Sequence, residues 1–154
     1  MNGLLGKKLE QIRIEKVLPF IKGNLIDVGC GNNMLTKTYG KGTGVDVHDW
    51  GDVDIIVDDT SKIPLDNNTF DTTTIIAALN HIPNRGDVIK EYLRLLKDDG
   101  KMIITMIPPT ISTIWHVLRK PWGVDQSERG MKEGEVYGMK KNDIINCLKT
   151  MVLN

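Results

Sequence analysis

The segment LIDVGCGNNM at residues 25–34 places the strongest constraint on how this 154-residue chain can fold. Leu25, Ile26 and Val28 suit a buried strand, yet Asp27 lies among them and two spaced glycines follow. Glycines after a strand allow positive φ and a close approach of the backbone to a ligand, although Gly-x-Gly also occurs in ordinary tight turns. The segment therefore predicts a strand that ends in a turn, which serves either the fold alone or a ligand.

Apolar patterns along the chain alternate between the periods of strands and helices, which indicates a parallel α/β sheet. Asp98-Asp99-Gly100 has turn chemistry and is predicted to lead into the fifth strand. The predicted strands are Leu25–Val28, Thr43–Val47, Val53–Val57, Asp71–Ala77 and Lys101–Ile107. The predicted helices are Leu4–Leu18, a helix capped by Asp87 that carries Ile89, Leu93 and Leu96, a short helix over Ile111–Leu118, and Asn142–Val152.

Composition narrows the class of protein. The chain has 20 basic and 20 acidic residues, so its charge suggests neither nucleic acid nor an anionic membrane as a partner. No apolar run is long enough to cross a bilayer. Cys30 and Cys147 are far apart, which is typical of free thiols in a cytoplasmic protein, and the three histidines have no metal-ligand spacing. We expect one domain over residues 1–154, a cytoplasmic location and no bound metal.

Acidic residues follow the second and third predicted strands as well. Asp46 lies where it could accept hydrogen bonds from a ribose diol, and Asp59-Thr60 could pair with an adenine edge. The dinucleotide fingerprint would require glycine at Met34, and the charge of Asp27 disfavours pyrophosphate. A ligand with a cationic centre, a ribose and an adenine would suit all three positions, and S-adenosylmethionine is such a ligand.

Four motifs in order resemble the class I S-adenosylmethionine-dependent methyltransferases, in particular the methyltransferase type 11 or ubiquinone-biosynthesis-like group. They are LIDVGCGNN, GVDVH, DDTSKIPLDNNTFD and IIAALNHIPNRGDVIKEYLRLLKDDGKMIITM. Together with the five predicted strands, the resemblance implies a Rossmann-like, doubly wound and mostly parallel sheet of about five strands in the order 3-2-1-4-5, with helices on both faces. It also implies methyl transfer from S-adenosylmethionine to a small-molecule acceptor.

The same resemblance implies roles for individual residues. Gly29, Cys30 and Gly31 would face the methionine part of the cofactor, and Asp27 would hold the loop and approach the ammonium group through water. Asp46 would bind the ribose, and the remaining roles are Val47 packing on adenine, Asp59 and Thr60 pairing with its edge, and Ala77 and Leu79 lining the methyl-transfer side.

Two departures from the family pattern affect this expectation. Asn33 occupies the position of the usual third glycine, and asparagine tolerates positive φ better than most residues. The family sheet has seven strands that end in an antiparallel hairpin, whereas five strands are predicted before Asn154. The fifth strand would then be an edge that a second copy of the chain could cover, which gives a physical motive for a homodimer.

The acceptor side is predicted less specifically. Trp115, Arg119, Trp122 and Arg129 follow the fifth strand and would suit a polar, anionic substrate, although tryptophans here could equally close the core. His81 and His116 are the candidates for a general base, which methyl transfer needs only for a poorly ionised acceptor.

Three alternatives remain open from the sequence alone. The first is a degenerate or truncated S-adenosylmethionine-binding domain without turnover. The second is a nicotinamide-dependent oxidoreductase, against which Met34 and Asp27 argue. The third, a nucleic-acid methyltransferase, lacks a basic surface run.

Overall fold

The computed structural model of the chain describes residues 4–106 and 140–152. Strands and helices alternate along these residues, with short 3-10 turns at Leu18–Phe20 and Leu79–His81. The elements are α1 (Leu4–Val17), β1 (Leu25–Val28), α2 (Met34–Tyr39), β2 (Thr43–Asp46), β3 (Ile55–Ile56), β4 (Phe70–Ile76), α3 (Arg85–Leu95), β5 (Leu96–Thr105) and α4 (Lys141–Val152).

The five strands form one parallel sheet in the order β3-β2-β1-β4-β5, as predicted. The first strand lies at the centre, where Asp27 is in register with Gly44 of β2 on one side and Thr74 of β4 on the other. The chain order reverses between β1 and β4, so the carboxyl end of β1 is at the switch point where ligands bind in open α/β sheets.

Helices cover both faces of the sheet, which explains why all four residues of β1 are buried. On one face, α3 packs against the sheet through Val88, Ile89, Tyr92 and Leu95. On the opposite face, Ile14 and Val17 of α1 pack with Leu35 of α2 and Leu25 of β1.

Several predicted boundaries are wrong for identifiable reasons. The six-residue helix α2 is too short for its periodicity to be recognised. The third strand contains only Ile55–Ile56, and α3 begins at Arg85 after Asn84, with Asp87 inside its first turn. The residues Asp98-Asp99-Gly100 belong to β5, because Phe70 pairs with Leu96 while Thr72 pairs with Lys101, which leaves a bulge between them.

Some predictions concern other parts of the chain. The short helix over Ile111–Leu118 and the last residue of the predicted fifth strand, Ile107, lie outside the described residues. No helix within residues 4–106 or 140–152 is long and apolar enough to cross a membrane.

Two adjacent buried threonines of β4 provide a test of how polar groups are accommodated in the sheet. Both are fully buried, but Thr72 Oγ1 accepts from Lys22 N at 3.0 Å and donates to Lys22 O at 2.8 Å, whereas Thr73 Oγ1 has no partner among the described residues. We expect Thr73→Val to raise the free energy of unfolding by about 1 kcal/mol, and Thr72→Val to lower it by about 1–3 kcal/mol. Urea unfolding of the two variants measures both values, and equal effects in the two would contradict this account.

Candidate functional site

The loop after β1 has the backbone shape that its glycines predict. Gly29 and Gly31 have φ of +63° and +55°, and the Gly29 and Cys30 N–H groups both donate to Val45 O, at 2.8 and 3.2 Å. A Cβ at Gly29 would lie 2.7 Å from the Cβ of Ala78, whereas a Cβ at Gly31 would meet no atom of the described residues within 4 Å. The loop is therefore packed at Gly29 and open at Gly31.

Cys30, between the two glycines, contributes little chemistry of its own. Its side chain is buried, and burial raises the pKa of the thiol to about 12, so it is protonated at neutral pH. Its Sγ donates to the carbonyl of Gly31 at 3.7 Å. A ligand in this loop would therefore meet the backbone at Cys30 rather than a thiolate.

Asn33 takes the conformation expected of the third glycine, with φ of +59°. Its side chain is buried and donates through Nδ2 to Asp52 O at 2.9 Å and to Asp54 Oδ2 at 2.7 Å. Gly44 lies opposite, where a Cβ would come within 2.1 Å of Asn33 Oδ1, and its N–H donates to the same Asp54 oxygen. Asparagine thus preserves the loop conformation and also ties the loop to β2 and to the segment before β3.

Asp46 at the end of β2 holds the glycine loop directly. Its Oδ2 accepts the N–H of Gly31 at 3.0 Å, and its Oδ1 accepts the N–H of His48 at 3.1 Å. The residue is 8% exposed, while the next side chain, Val47, is 55% exposed. The end of β2 therefore presents a fixed carboxylate beside an apolar side chain that no described element covers.

Among the described residues, the side chain of Asp27 forms its hydrogen bond with β4 rather than with the glycine loop. Thr74 Oγ1 donates to Asp27 Oδ1 at 2.6 Å, and the residue is 3% exposed. Burial raises the pKa of this carboxyl to about 7; the Thr74 hydrogen bond partly offsets the rise, and the nearby Asp46 adds to it. A cation that approached Asp27 would favour its ionised form.

Asp59, after β3, is fixed by two other residues. Its Oδ1 accepts the N–H of Ser61 at 2.8 Å, and this bond is the main reason that its pKa lies below the usual value. The amide Nδ2 of Asn84 donates to Oδ1 at 3.2 Å and to Oδ2 at 3.4 Å. Thr60 is buried beside it.

The end of β4 contacts the glycine loop through Ala78. Ala77 has φ of +52°, which is unusual for a residue with a side chain, and its N–H donates to Thr105 O at 3.0 Å. Leu79 is fully buried, and its carbonyl accepts from Arg85 Nε at 3.0 Å. The Leu79 side chain is therefore part of the core and presents no surface to a ligand.

His81 follows in the same 3-10 turn, and its Nε2 lies 3.0 Å from Asn80 Nδ2. If the amide is the donor, Nε2 is the acceptor and the proton of a neutral ring lies on Nδ1. The other residues predicted for the acceptor side, Trp115, His116, Arg119, Trp122 and Arg129, lie outside the described residues.

The sequence patterns do not identify Asn84 and Ser61 as the partners of Asp59. An asparagine just before a helix is normally interpreted as an N-cap, and a serine two residues after an aspartate as part of a turn. Only the folded structure shows that the segments after β3 and β4 meet.

The raised pKa of Asp27 predicts how stability changes with pH. The folded state binds this proton more tightly than the unfolded chain, whose pKa is near 3.8, so ionisation opposes folding. Stability due to this group is highest below about pH 4 and falls as the pH rises to about 7. We expect Asp27→Asn to be more stable than the natural chain at pH 8, by on the order of a few kcal/mol, and to lose that advantage progressively as the pH falls to about 4. Urea unfolding across this range measures the difference, and parallel pH profiles would refute the assignment.

Comparison with known proteins places this geometry in a family. The family model described as "Methyltransferase domain" matches residues 26–104, about half of the chain. The sterol 4-C-methyltransferase strm-1 of Caenorhabditis elegans is 42% identical over 50 residues, which are 32% of this chain and 15% of that protein. The ubiquinone/menaquinone biosynthesis C-methyltransferase UbiE of Pseudomonas fluorescens (strain Pf0-1) is 31% identical over 82 residues, which are 53% of this chain and 31% of that protein. The chain thus spans less than half the length of these relatives.

Solved structures show the same fold. A SAM-dependent methyltransferase from Thermotoga maritima superposes with a TM-score of 0.68 at 15% identity, covering 90% of this chain and 68% of the other. Another from Archaeoglobus fulgidus gives 0.67 at 18% identity, covering 94% and 67%. With the family model matched across β1 to β5, the chain belongs to the methyltransferase-domain family, whose cofactor is S-adenosylmethionine.

Proposed function

We propose that this chain binds S-adenosylmethionine and transfers its methyl group to a small-molecule acceptor. The observation that carries the proposal is the glycine loop, which Asp46 fixes through the Gly31 N–H while no described residue fills the space beside Gly31. When bound, S-adenosylmethionine supplies an electrophilic methyl group on a sulfonium centre. The names of the two relatives refer to carbon methylation, and the proposed acceptor is a small molecule.

The residues around the loop suit the parts of this cofactor. Asp46 uses two of about four lone-pair sites for backbone N–H groups, which leaves acceptors for ribose hydroxyls. Val47 offers an exposed apolar surface for the adenine ring. Beside Thr60, the Asp59 carboxylate can accept a hydrogen bond from the adenine amino group. Asp27 would place negative charge on the side of the methionine ammonium, and the Gly29–Gly31 backbone would contact the methionine chain.

The remaining predicted residues concern the acceptor side. Ala77, with its positive φ, would line the methyl-transfer side at the end of β4. If a proton must be removed from the acceptor, His81 would take it through Nε2 in place of the Asn80 amide hydrogen bond, with His116 as the alternative base. Trp115, Arg119, Trp122 and Arg129 are proposed to contact the acceptor. Orientation of the acceptor against the methyl group would supply much of the rate enhancement.

Calorimetric titration of the 154-residue chain tests the proposal. We expect binding of S-adenosylmethionine and S-adenosylhomocysteine, and none of a nicotinamide dinucleotide. Selective binding of the dinucleotide would favour an oxidoreductase instead. Binding without methyl transfer to any member of a panel of small acceptors would favour a binding domain without turnover.

Asp46→Ala should weaken S-adenosylhomocysteine binding by about 1–3 kcal/mol, because the ribose loses its acceptor and Gly31 loses its anchor. Asp49→Ala is the matched control, since within the described residues the exposed Asp49 carboxylate accepts a hydrogen bond only from the nearby Gly51 N–H. Equal affinities for the two variants by calorimetry would rule out the ribose role of Asp46.

Alanine substitutions at the two loop glycines separate an effect on stability from an effect on ligand binding. Alanine at either position carries a similar backbone penalty of about 1–2 kcal/mol, because both have positive φ. Gly29→Ala also collides with Ala78, so we expect it to lose much more stability in urea unfolding than Gly31→Ala. Gly31→Ala should remain folded yet bind S-adenosylhomocysteine at least about tenfold more weakly, since its methyl group enters the open space. Unchanged affinity in folded Gly31→Ala would place the cofactor elsewhere.

A further inference from the structure

Asn84 stands where it could cap α3 but does not use its side chain to do so. Its carbonyl accepts the N–H groups of Asp87 and Val88 at 3.1 and 3.2 Å, which is the backbone arrangement of an N-cap. No hydrogen bond from its side chain caps the helix. Asparagine is among the strongest N-cap residues, and such a bond typically contributes about 1 kcal/mol. The side chain has therefore exchanged a locally favourable bond for a different one.

The amide of Asn84 is directed across to the loop after β3. Its Nδ2 lies 3.2 and 3.4 Å from the two carboxylate oxygens of Asp59 and 3.2 Å from Ser61 Oγ. The N–H of Ser61 donates to Asp59 Oδ1 at 2.8 Å. Donors from two separate segments therefore set the orientation of the carboxylate.

The loop after β3 is also attached to α3 by residues other than Asn84. Farther along, Ile63 N donates to Glu91 Oε1 at 2.8 Å, and Arg94 donates to the carbonyls of Ile63 and Leu65 at 3.1 and 2.9 Å. Arg94 and Glu91 also form a salt bridge of 2.6 Å. Because α3 already holds the loop at this second place, the specific effect of Asn84 is on the Asp59 carboxylate.

We propose that Asn84 is a positioning residue that aims the Asp59 carboxylate at the amino group of the purine, so that the site discriminates a 6-amino from a 6-oxo purine. This inference rests on the proposed cofactor site. An ionised carboxylate only accepts hydrogen bonds, so it attracts an exocyclic amino group and repels a carbonyl oxygen at the same position. The low pKa of Asp59 keeps it in that form at neutral pH.

The test compares two ligands that differ at this one group. S-adenosylhomocysteine and S-inosylhomocysteine, in which a carbonyl replaces the amino group, are titrated into the natural chain, Asn84→Ser and Asp87→Ala. Serine can still cap α3, but its shorter side chain has no amide group that could donate to Asp59. Asp87→Ala weakens the same first turn through the helix dipole without touching Asp59, and is the matched control.

We expect the natural chain to prefer the adenosyl ligand by at least about tenfold. Asn84→Ser should reduce this preference about fivefold or more, the order of one modest hydrogen bond, while Asp87→Ala leaves it unchanged. Asn84→Asp can cap α3 but cannot donate to Asp59, so it should also reduce the preference for the adenosyl ligand. This variant provides a second test if the serine variant folds poorly.

The outcomes separate this inference from the proposed function. A preference that survives both Asn84 variants, or equal weakening of both ligands, overturns the positioning role while leaving the cofactor site in place. Equal affinity of the natural chain for the two ligands overturns it in the same way. Failure of the natural chain to bind either ligand overturns the proposed cofactor site and this inference with it.

Discussion

The hydrogen bond from the Gly31 N–H to Asp46 is the contact on which the site depends. It joins the loop after β1 to the end of β2, and the N–H groups of Gly29 and Cys30 reinforce the link through Val45 O. A loop in the left-handed region would otherwise sample many conformations, because glycine loses more backbone entropy on folding than any other residue. Fixing it before a ligand arrives means that binding does not have to supply this ordering free energy.

Burial of polar groups is the second constraint on this site. Asp27 and Asn33 are both 3% exposed, and each is accommodated differently. Asn33 donates from its amide to partners in the segment before β3, whereas Asp27 accepts from Thr74 and has a pKa raised to about 7. The site therefore combines a rigid loop with a carboxyl group whose charge responds to what lies near it.

Much of the fold could be predicted from sequence because β1, β2 and β4 have distinct apolar patterns, and the parallel order follows from the resemblance. Predictions from local sequence were wrong where tertiary packing determined the structure. Asp98-Asp99-Gly100 has turn chemistry, yet the chain continues as a bulged strand because β4 offers a partner on both sides of it. The positions of Asp46, Gly29 and Gly31 could be anticipated, but the pairing of Asn84 with Asp59 depends on two segments 25 residues apart in sequence.

Asn33 also links the effects of substitutions at neighbouring positions. Its side chain fills the space that a Cβ at Gly44 would need, and it donates to the same Asp54 oxygen that the Gly44 N–H uses. Glycine at position 33 would leave Asp54 with one donor fewer and an unfilled space beside β2, and that space would relieve the collision that a side chain at position 44 meets. Positions 33, 44 and 54 are therefore energetically coupled, so we expect the effects of substitutions at them to be non-additive.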